Sequence, residues 1–303
     1  MKDTPEHFKD LAERATINGY KTKEIPFRHV EIDGSIWAPF VTEEQLRICS
    51  AFQTSPGDVF LVTYPKSGTT WIAEIIRCIT QAKNPNRDIA DTGMLRFEMA
   101  NQKQLNTWSS PRSISTHLPF DKIMRHSEDP AKYIYLARNP KDVAVSMFYF
   151  VRSMKIIFDF DGTWSEFLQH FMKGNIPVGV SYFDHVLEWW IHKDDENVLF
   201  LKYEDLKKEL KSQIKIIAEF LGHDFSDEEA QAVKEQCTFQ AMKSNPKLNI
   251  NKQPGSSSLF KKSSHLRKGI VGDWKNHFSD EQLAEFDRVC QSRLKGTGLD
   301  FEY

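Results

Sequence analysis

The chain has 303 residues, 40% apolar and 27% charged, which suits a globular protein with a full core. A formal net charge of −2 gives no polycationic footprint, so neither nucleic acid nor an anionic membrane is expected as a partner. Cys49, Cys78, Cys237 and Cys290 lie far apart without C-x-x-C spacing, the pattern of neither a disulfide framework nor a zinc site. The first twenty residues are polar, no run of eighteen apolar residues occurs, and the expected compartment is the reducing cytoplasm.

Residues 1–57 read as a polar lead-in, the first 29 of them an extension. Thr42 stands as a cap before Glu43, Glu44 and Gln45 and opens a short helix to Ala51. Asp58 to Gln81, DVFLVTYPKSGTTWIAEIIRCITQ, then has three parts. Val59 to Thr63 is the apolar run of a strand buried on both faces. Pro65 to Thr70 is a tight polar loop. From about Thr69 onward Ile72, Ile75, Ile76 and Ile79 recur at helical spacing and form one apolar face. Loop N–H groups and the positive end of a helix point at the same place, where an anion belongs. The spaced G-x-x-x-x-G-K-[ST] pattern is absent, because Lys66 precedes Gly68. On the loop alone a plain capped helix start is the other reading.

Asn84 to Thr92 reads as a linker, and residues 93–110 lack periodicity and receive no element. Arg112 to Thr116 is a short strand ending at His117. Tyr133 to Ala137 is a second buried strand ending at Arg138, after which Asn139 caps a helix with Pro140 at its first position. Asn197 to Lys202 is another, ending at Tyr203, with a helix from about Leu206 to Leu221 that stops at Gly222. Phe158 to Lys173 and Ser181 to His192 are aromatic helical stretches, expected to be core packing. Ser226 to Gln236 is an acidic, solvated helix, Asn245 to Ser264 a polar loop, Gly272-Asp273-Trp274 a turn, and Ser279 to Arg293 a last helix. Apolar runs alternating with helices predict an α/β fold, a single domain over 1–303 with a central parallel sheet flanked by helices. Ligands of such sheets bind beyond the carboxyl ends of the strands, and the residues there are Lys66, His117, Arg138 and Tyr203.

Three blocks resemble the cytosolic sulfotransferases: TYPKSGTTW at 63–71, YIYLARNPKDVAVSMF at 133–148 and RKGIVGDWKNHF at 267–278. SPRSISTHLP at 110–119 and FLKYEDL at 200–206 support the match. The resemblance runs from about Val30 to the end of the chain. It implies 3′-phosphoadenosine 5′-phosphosulfate (PAPS) as donor, with 3′-phosphoadenosine 5′-phosphate (PAP) as product, in a P-loop-like strand–loop–helix site. It assigns the phosphosulfate to Lys66, Ser67, Gly68, Thr69 and Thr70, and adenine stacking to Trp71. From the residues alone Trp71 would go to the core. Arg138, Ser146, Arg267, Lys268 and Gly269 match the 3′-phosphate ligands, and Tyr203, Thr238 and Phe239 the adenine contacts. Arg offers a fork to phosphate oxygens, Lys a second cation, and Gly a close backbone approach.

His117 matches the family's catalytic base, and a neutral imidazole suits the acceptor's proton as Lys66 suits the leaving phosphate. Three departures stand out. Cys237 replaces the serine of T-S-F; Ser115 replaces the lysine of K-T-H; and the dimer signature K-x-x-x-T-V-x-x-x-E becomes Lys275, Ser279, Asp280 and Ala284, with Glu285 one residue late. A monomer or weak homodimer is therefore expected. No metal is expected. The acceptor is a small molecule, phenol, steroid, other alcohol or amine, in a pocket lined by residues 93–108, Phe148 to Ile157 and the loop 245–264, with Ser115, His117 and Phe150 as contacts. The alternatives are a P-loop-type kinase, which would need a GK[ST] loop and magnesium carboxylates, and a catalytically silent PAP-binding relative.

Overall fold

The structure, a computed structural model, describes residues 6–84, 96–108, 110–123, 131–249, 252 and 266–303. Most of the expected 84–92 linker and of the 245–264 loop, with residues 93–95, lies outside them. The elements run α1 (Glu6–Asn18), β1 (Val30–Ile32), β2 (Ser35–Trp37), α2 (Glu43–Ala51), β3 (Val59–Val62), α3 (Thr69–Lys83), a 3₁₀ turn (Phe97–Met99), α4 (Gln102–Leu105), β4 (Ser113–Thr116), α5 (Phe120–Ile123) and β5 (Lys132–Ala137). They continue α6 (Pro140–Ser153), α7 (Lys155–Phe158), α8 (Trp164–Lys173), α9 (Tyr182–Ile191), β6 (Val198–Lys202), α10 (Tyr203–Lys208), α11 (Leu210–Phe220), α12 (Asp227–Gln236), α13 (Phe239–Ser244), a 3₁₀ turn (Asp273–Asn276) and α14 (Asp280–Leu294). Among the described residues no helix is long and apolar enough to cross a membrane.

The chain divides into two compact units. One comprises Glu44–Arg138 and Trp189–Leu248, the other Met1–Glu43, Asn139–Glu188 and Asn249–Tyr303. The first holds a four-stranded sheet in the order β4-β3-β5-β6, every pair parallel. The fold is therefore α/β with a central parallel sheet and helices against it. The apolar runs that read as doubly buried strands are so: Phe60, Leu61 and Val62 on β3, and Tyr133 to Ala137 on β5, are all buried. Trp189 stacks on Tyr135 at 5.5 Å, and Phe60 on Tyr133 at 5.2 Å, so large rings fill the space above the strands. The chain leaves β3 for β4 on one side and, past β5, continues to β6 on the other. That reversal at β3 and β5 is where a parallel sheet opens a ligand crevice at its carboxyl edge.

Asp58 anchors the opposite end of β3. Its fully buried carboxylate pairs with Arg112 and accepts from Ser55 N, Ser110 Oγ and Arg112 N, each at 2.9 Å. Burial works against its ionisation, but the Arg112 guanidinium and these donors outweigh that and hold it below the ordinary aspartate range.

In the second unit, Asn139 caps α6 by accepting from Asp142 N at 2.8 Å, with Pro140 at the first turn as expected. Differences from the sequence reading are local. The polar lead-in contains α1, whose Leu11 and Ala15 are buried one turn apart, and a β1–β2 hairpin. The stretch 158–173 is not one helix. Asp159 turns left-handed at φ 48, and Thr163 restarts α8 with a capping box to Glu166. Likewise the helix expected from Leu206 to Leu221 is broken at Glu209, whose φ of −133 leaves the helical region. The segment left without an element carries the 3₁₀ turn and α4.

Candidate active site

All four strand-end residues of the sheet unit fall where the topology predicts. β4 ends one residue before His117, β5 one before Arg138, β6 one before Tyr203, and the loop after β3 carries Lys66. That loop is bent by two left-handed residues, Lys66 at φ 75 and Gly68 at φ 113. For a lysine this conformation is uncommon and costs on the order of 1–3 kcal/mol, a strain that clusters at ligand clamps. Gly68 is obligatory for a second reason: a Cβ there would lie 2.9 Å from Tyr203 Cδ2 and 3.2 Å from Leu136 Cδ2. Thr69 opens α3, and its Oγ1 lies 2.8 Å from Thr63 Oγ1. Ser67 is fully buried, and its Oγ has no hydrogen-bond partner among the described residues. A buried hydroxyl left unmatched beside the N-terminus of a fifteen-residue helix is what an anion cradle requires. The loop residues therefore fit a phosphosulfate.

His117 is held on two sides. Its Nδ1 lies 2.7 Å from the Thr63 carbonyl and 3.2 Å from Thr63 Oγ1. A carbonyl only accepts, so Nδ1 carries the proton and the neutral ring has its lone pair on Nε2. Its backbone N–H donates to Glu98 Oε1 at 3.2 Å, and the neighbouring Thr116 hydroxyl donates to Glu98 Oε2 at 2.7 Å. Burial pushes the Glu98 carboxyl up, against those donors and the charge of Arg96. Ser115, the residue in place of a lysine, is buried on β4.

Arg138 donates to the Lys66 carbonyl at 3.3 Å and lies over the Tyr203 ring at 4.4 Å. Trp71 is half-buried rather than a core residue. Its Nε1 donates to the Cys237 carbonyl at 2.9 Å, and its ring meets Tyr203 edge-on at 5.1 Å. Lys207 Nζ stands 5.3 Å from the Trp71 centroid, its amine pushed below the ordinary lysine range by burial and by the Arg138 charge. Cys237 reaches Trp71 through its main chain, while its Sγ lies 4.0 Å from Cys78 Sγ. The departure from T-S-F thus leaves the backbone contact intact. Thr238 caps α13, accepting from Ala241 N at 3.2 Å, and Phe239 follows it. Lys66, His117, Arg138, Trp71, Tyr203 and the Cys237–Phe239 segment all belong to this one unit.

The second unit contains Ser146, Phe150, Arg267, Lys268 and Gly269. Ser146 is half-buried on α6, and Phe150 faces Phe158 at 6.1 Å. Arg267 and Lys268 each form an ion pair with Asp273 at 2.6 Å. Asp273 also accepts from Asn276 Nδ2 at 3.1 Å, and His277 Nε2 is 3.4 Å away. Burial opposes its ionisation, but Lys268, Arg267 and Asn276 together hold it far below the ordinary aspartate range. Asp142 fixes that turn from α6, accepting from Gly272 N at 2.8 Å and Trp274 N at 3.0 Å. Sequence reading passed over Glu98, Asp142 and Asp273. Only NPKD and GDW, inside blocks already singled out, carried a signal for the last two.

Residues 56–298 match the family model described as "Sulfotransferase domain". The chain belongs to the sulfotransferase family. It is 40% identical to Sulfotransferase 1B1 of Mus musculus over 82% of this chain and 87% of that protein. It is 38% identical to the Amine sulfotransferase of Oryctolagus cuniculus, over 82% of this chain and 85% of the relative. Among solved structures it resembles mouse sulfotransferase SULT7A1 complexed with PAP, with a TM-score of 0.75 and 35% identity over 88% of this chain and 94% of that one. As a sulfotransferase the chain is an enzyme that transfers a sulfonate group.

Proposed function

We propose that this sulfotransferase takes its sulfonate from PAPS and passes it to a hydroxyl or amine of a small, largely apolar acceptor, with His117 as general base. The observation that carries the reading is the hydrogen bond from His117 Nδ1 to the Thr63 carbonyl, which leaves the ring's basic lone pair on Nε2 at a strand end beside the loop. When bound, PAPS supplies the sulfonate and departs as PAP. Nε2 of His117 takes the proton that the acceptor loses. Lys66 and the N–H groups opening α3 offset the charge that grows on the departing 5′-phosphate. Ser67, Gly68, Thr69 and Thr70 bind the same phosphosulfate, Trp71, Tyr203, Thr238 and Phe239 the adenine, and Arg138 the 3′-phosphate. Ser146, Arg267, Lys268 and Gly269 of the second unit carry the family's remaining 3′-phosphate roles. Positive charge in the site comes from side chains, so the mechanism needs no metal.

Support for a small acceptor comes from the relatives, one of which is named for amines. Ser115 and Phe150 are the proposed acceptor contacts, and the cytoplasm is the proposed compartment. A monomer or weak homodimer accords with Ser279 and Asp280, which are spent on the cap and first turn of α14 rather than on an apolar contact. The test is turnover of radiolabelled PAPS against phenols, sterols, alcohols and amines, with His117→Ala alongside. The variant should lose two to four orders of magnitude in kcat, the usual general-base range of roughly 10²–10⁴, while PAP affinity stays within about threefold. Near-normal turnover would remove His117 from the mechanism. PAP binding without turnover of any acceptor would leave a nucleotide-binding relative, and magnesium-dependent ATP turnover instead would leave a kinase.

A further inference from the structure

We infer that Glu98 is a positioning residue of the sulfonate transfer, holding the strand end from which His117 projects. The inference rests on the reading of His117 as base, and it starts from a problem in the backbone. β4 ends at Thr116, so the N–H of His117 is the first past the ladder, in surroundings where Thr116 and Leu118 are fully buried. A donor there needs a partner. Glu98 provides it from a separate segment, the 3₁₀ turn Phe97–Met99, with His117 N donating to Oε1 at 3.2 Å and Oε2 at 3.4 Å and the Thr116 hydroxyl donating to Oε2 at 2.7 Å. The Thr116 hydroxyl in turn accepts from Leu118 N at 3.1 Å.

One carboxylate thus reaches the residues on both sides of His117, directly or through one hydroxyl. It is itself buried, as is its neighbour Arg96, so the arrangement lies away from solvent. Burying a carboxylate is costly, and a backbone turn alone could have been closed by a serine or asparagine. The two-oxygen grip is what neither of those can reproduce. The imidazole is clamped at the other end by Thr63. Between the Nδ1 bond to the Thr63 carbonyl and the amide bond to Glu98, the base is tied at both ring and main chain. Loosening either end lets Nε2 wander from the acceptor proton, and misplacement of about 1 Å is worth roughly 10²-fold in rate. Residues 96–99 also fall in the stretch proposed to line the acceptor pocket.

The experiment is a double-mutant cycle on the full chain. Glu98→Gln keeps the size but removes the charge and puts an NH2 where Oε1 accepts from His117 N at 3.2 Å, leaving that amide only the longer 3.4 Å approach to the remaining oxygen. It should lower kcat about 10- to 100-fold, with the KM for PAPS and PAP affinity within roughly threefold of the parent. In a His117→Ala background the same substitution should cost less than about twofold, because the group through which Glu98 acts is gone. An equal loss in both backgrounds would show that Glu98 acts elsewhere and overturn the inference while leaving His117 as base. Parallel losses in kcat, PAP affinity and thermal midpoint would reduce Glu98 to a structural acid and overturn it too. Full turnover in His117→Ala alone would instead sink the base assignment. If Glu98→Gln does not fold, Thr116→Val removes one of the two donors. A kcat-specific loss of about 3- to 10-fold is then expected, and an unchanged kcat would count against the inference.

Discussion

The two phosphate regions attributed to the donor are built on opposite plans. In the loop after β3, a buried hydroxyl and a strained backbone are held in place ahead of the ligand. Ser67 Oγ is buried with no partner among the described residues, and Lys66 is kept in a left-handed conformation that a lysine rarely adopts. At the 267–278 segment the cations are already matched, since Arg267 and Lys268 both pair with the buried Asp273, which Asp142 orients through the Gly272 and Trp274 amides. The first plan spends stability to pre-organise a site where charge changes during reaction. The second places an acid behind two cations, which fixes their direction and lowers their net charge toward an incoming anion. A group that only has to be gripped and released tolerates that moderation, whereas a leaving group does not.

Lys66→Met should show the largest effect of the contrast. It keeps the stem but removes the charge, and kcat should drop by roughly 10²–10³, as for loss of a charge-stabilising donor. PAP affinity should fall by much less, because the lysine matters most when the phosphate becomes the leaving group. Equal changes in kcat and in PAP affinity would mean that Lys66 binds donor and transition state alike and would erase the distinction.

Arg267→Ala probes the matched region. Affinity for PAP should fall about tenfold, in line with one charge-assisted contact, while affinity for adenosine 5′-phosphosulfate, which lacks the 3′-phosphate, should not change. Equal losses for both ligands would refute the 3′-phosphate role. The variant also strips Asp273 of one partner, with a consequence in pH. Because the folded pKa of Asp273 is depressed, its stabilisation is complete above the unfolded aspartate value and disappears as pH falls through the folded one. With the pairing weakened, the folded value rises and less of that stabilisation exists at neutral pH. The thermal midpoint of Arg267→Ala should therefore fall below the parent's at pH 7, and the gap should persist down through the ordinary aspartate range, because the folded value lies far beneath it.

How much of this was legible beforehand follows the same division. Strands and their ends were readable because doubly buried apolar runs such as FLV and YIYLA declare themselves, and the first residue past each run is then determined. His117, Arg138 and Tyr203 came from that rule, and Lys66 from the loop that follows the first run. The acids did not, because Glu98 and Asp142 act on distant segments and Asp273 sits in a turn without periodicity to declare its role. Glu98 meets His117 across an aperiodic stretch, and nothing near Asp273 in sequence says that it backs Arg267 and Lys268. Errors in helix extent had the same origin. Asp161-Gly162-Thr163 is a break with its own cap, yet the aromatic residues on either side, Phe158, Phe160 and Phe167, run on as if continuous. What reaches Trp71 from Cys237 is likewise invisible in sequence, since it is a carbonyl, which every residue has.

Ser67→Ala yields the smallest effect and separates the two plans most directly. In the free protein the Ser67 hydroxyl is buried without a partner among the described residues, a state that costs about 1–3 kcal/mol for the group concerned. Alanine removes that cost, so the thermal midpoint without ligand should stay level or rise by about a degree or two rather than fall. With PAP present the order should reverse. The parent gains a hydrogen bond that the variant cannot make, and PAP affinity should drop by roughly threefold to tenfold. A polar group that serves the fold would show the opposite sign in the free protein, as the paired carboxylate of Asp273 must. If Ser67→Ala lowers the midpoint without ligand, the hydroxyl is part of the scaffold and the loop after β3 is not held in waiting.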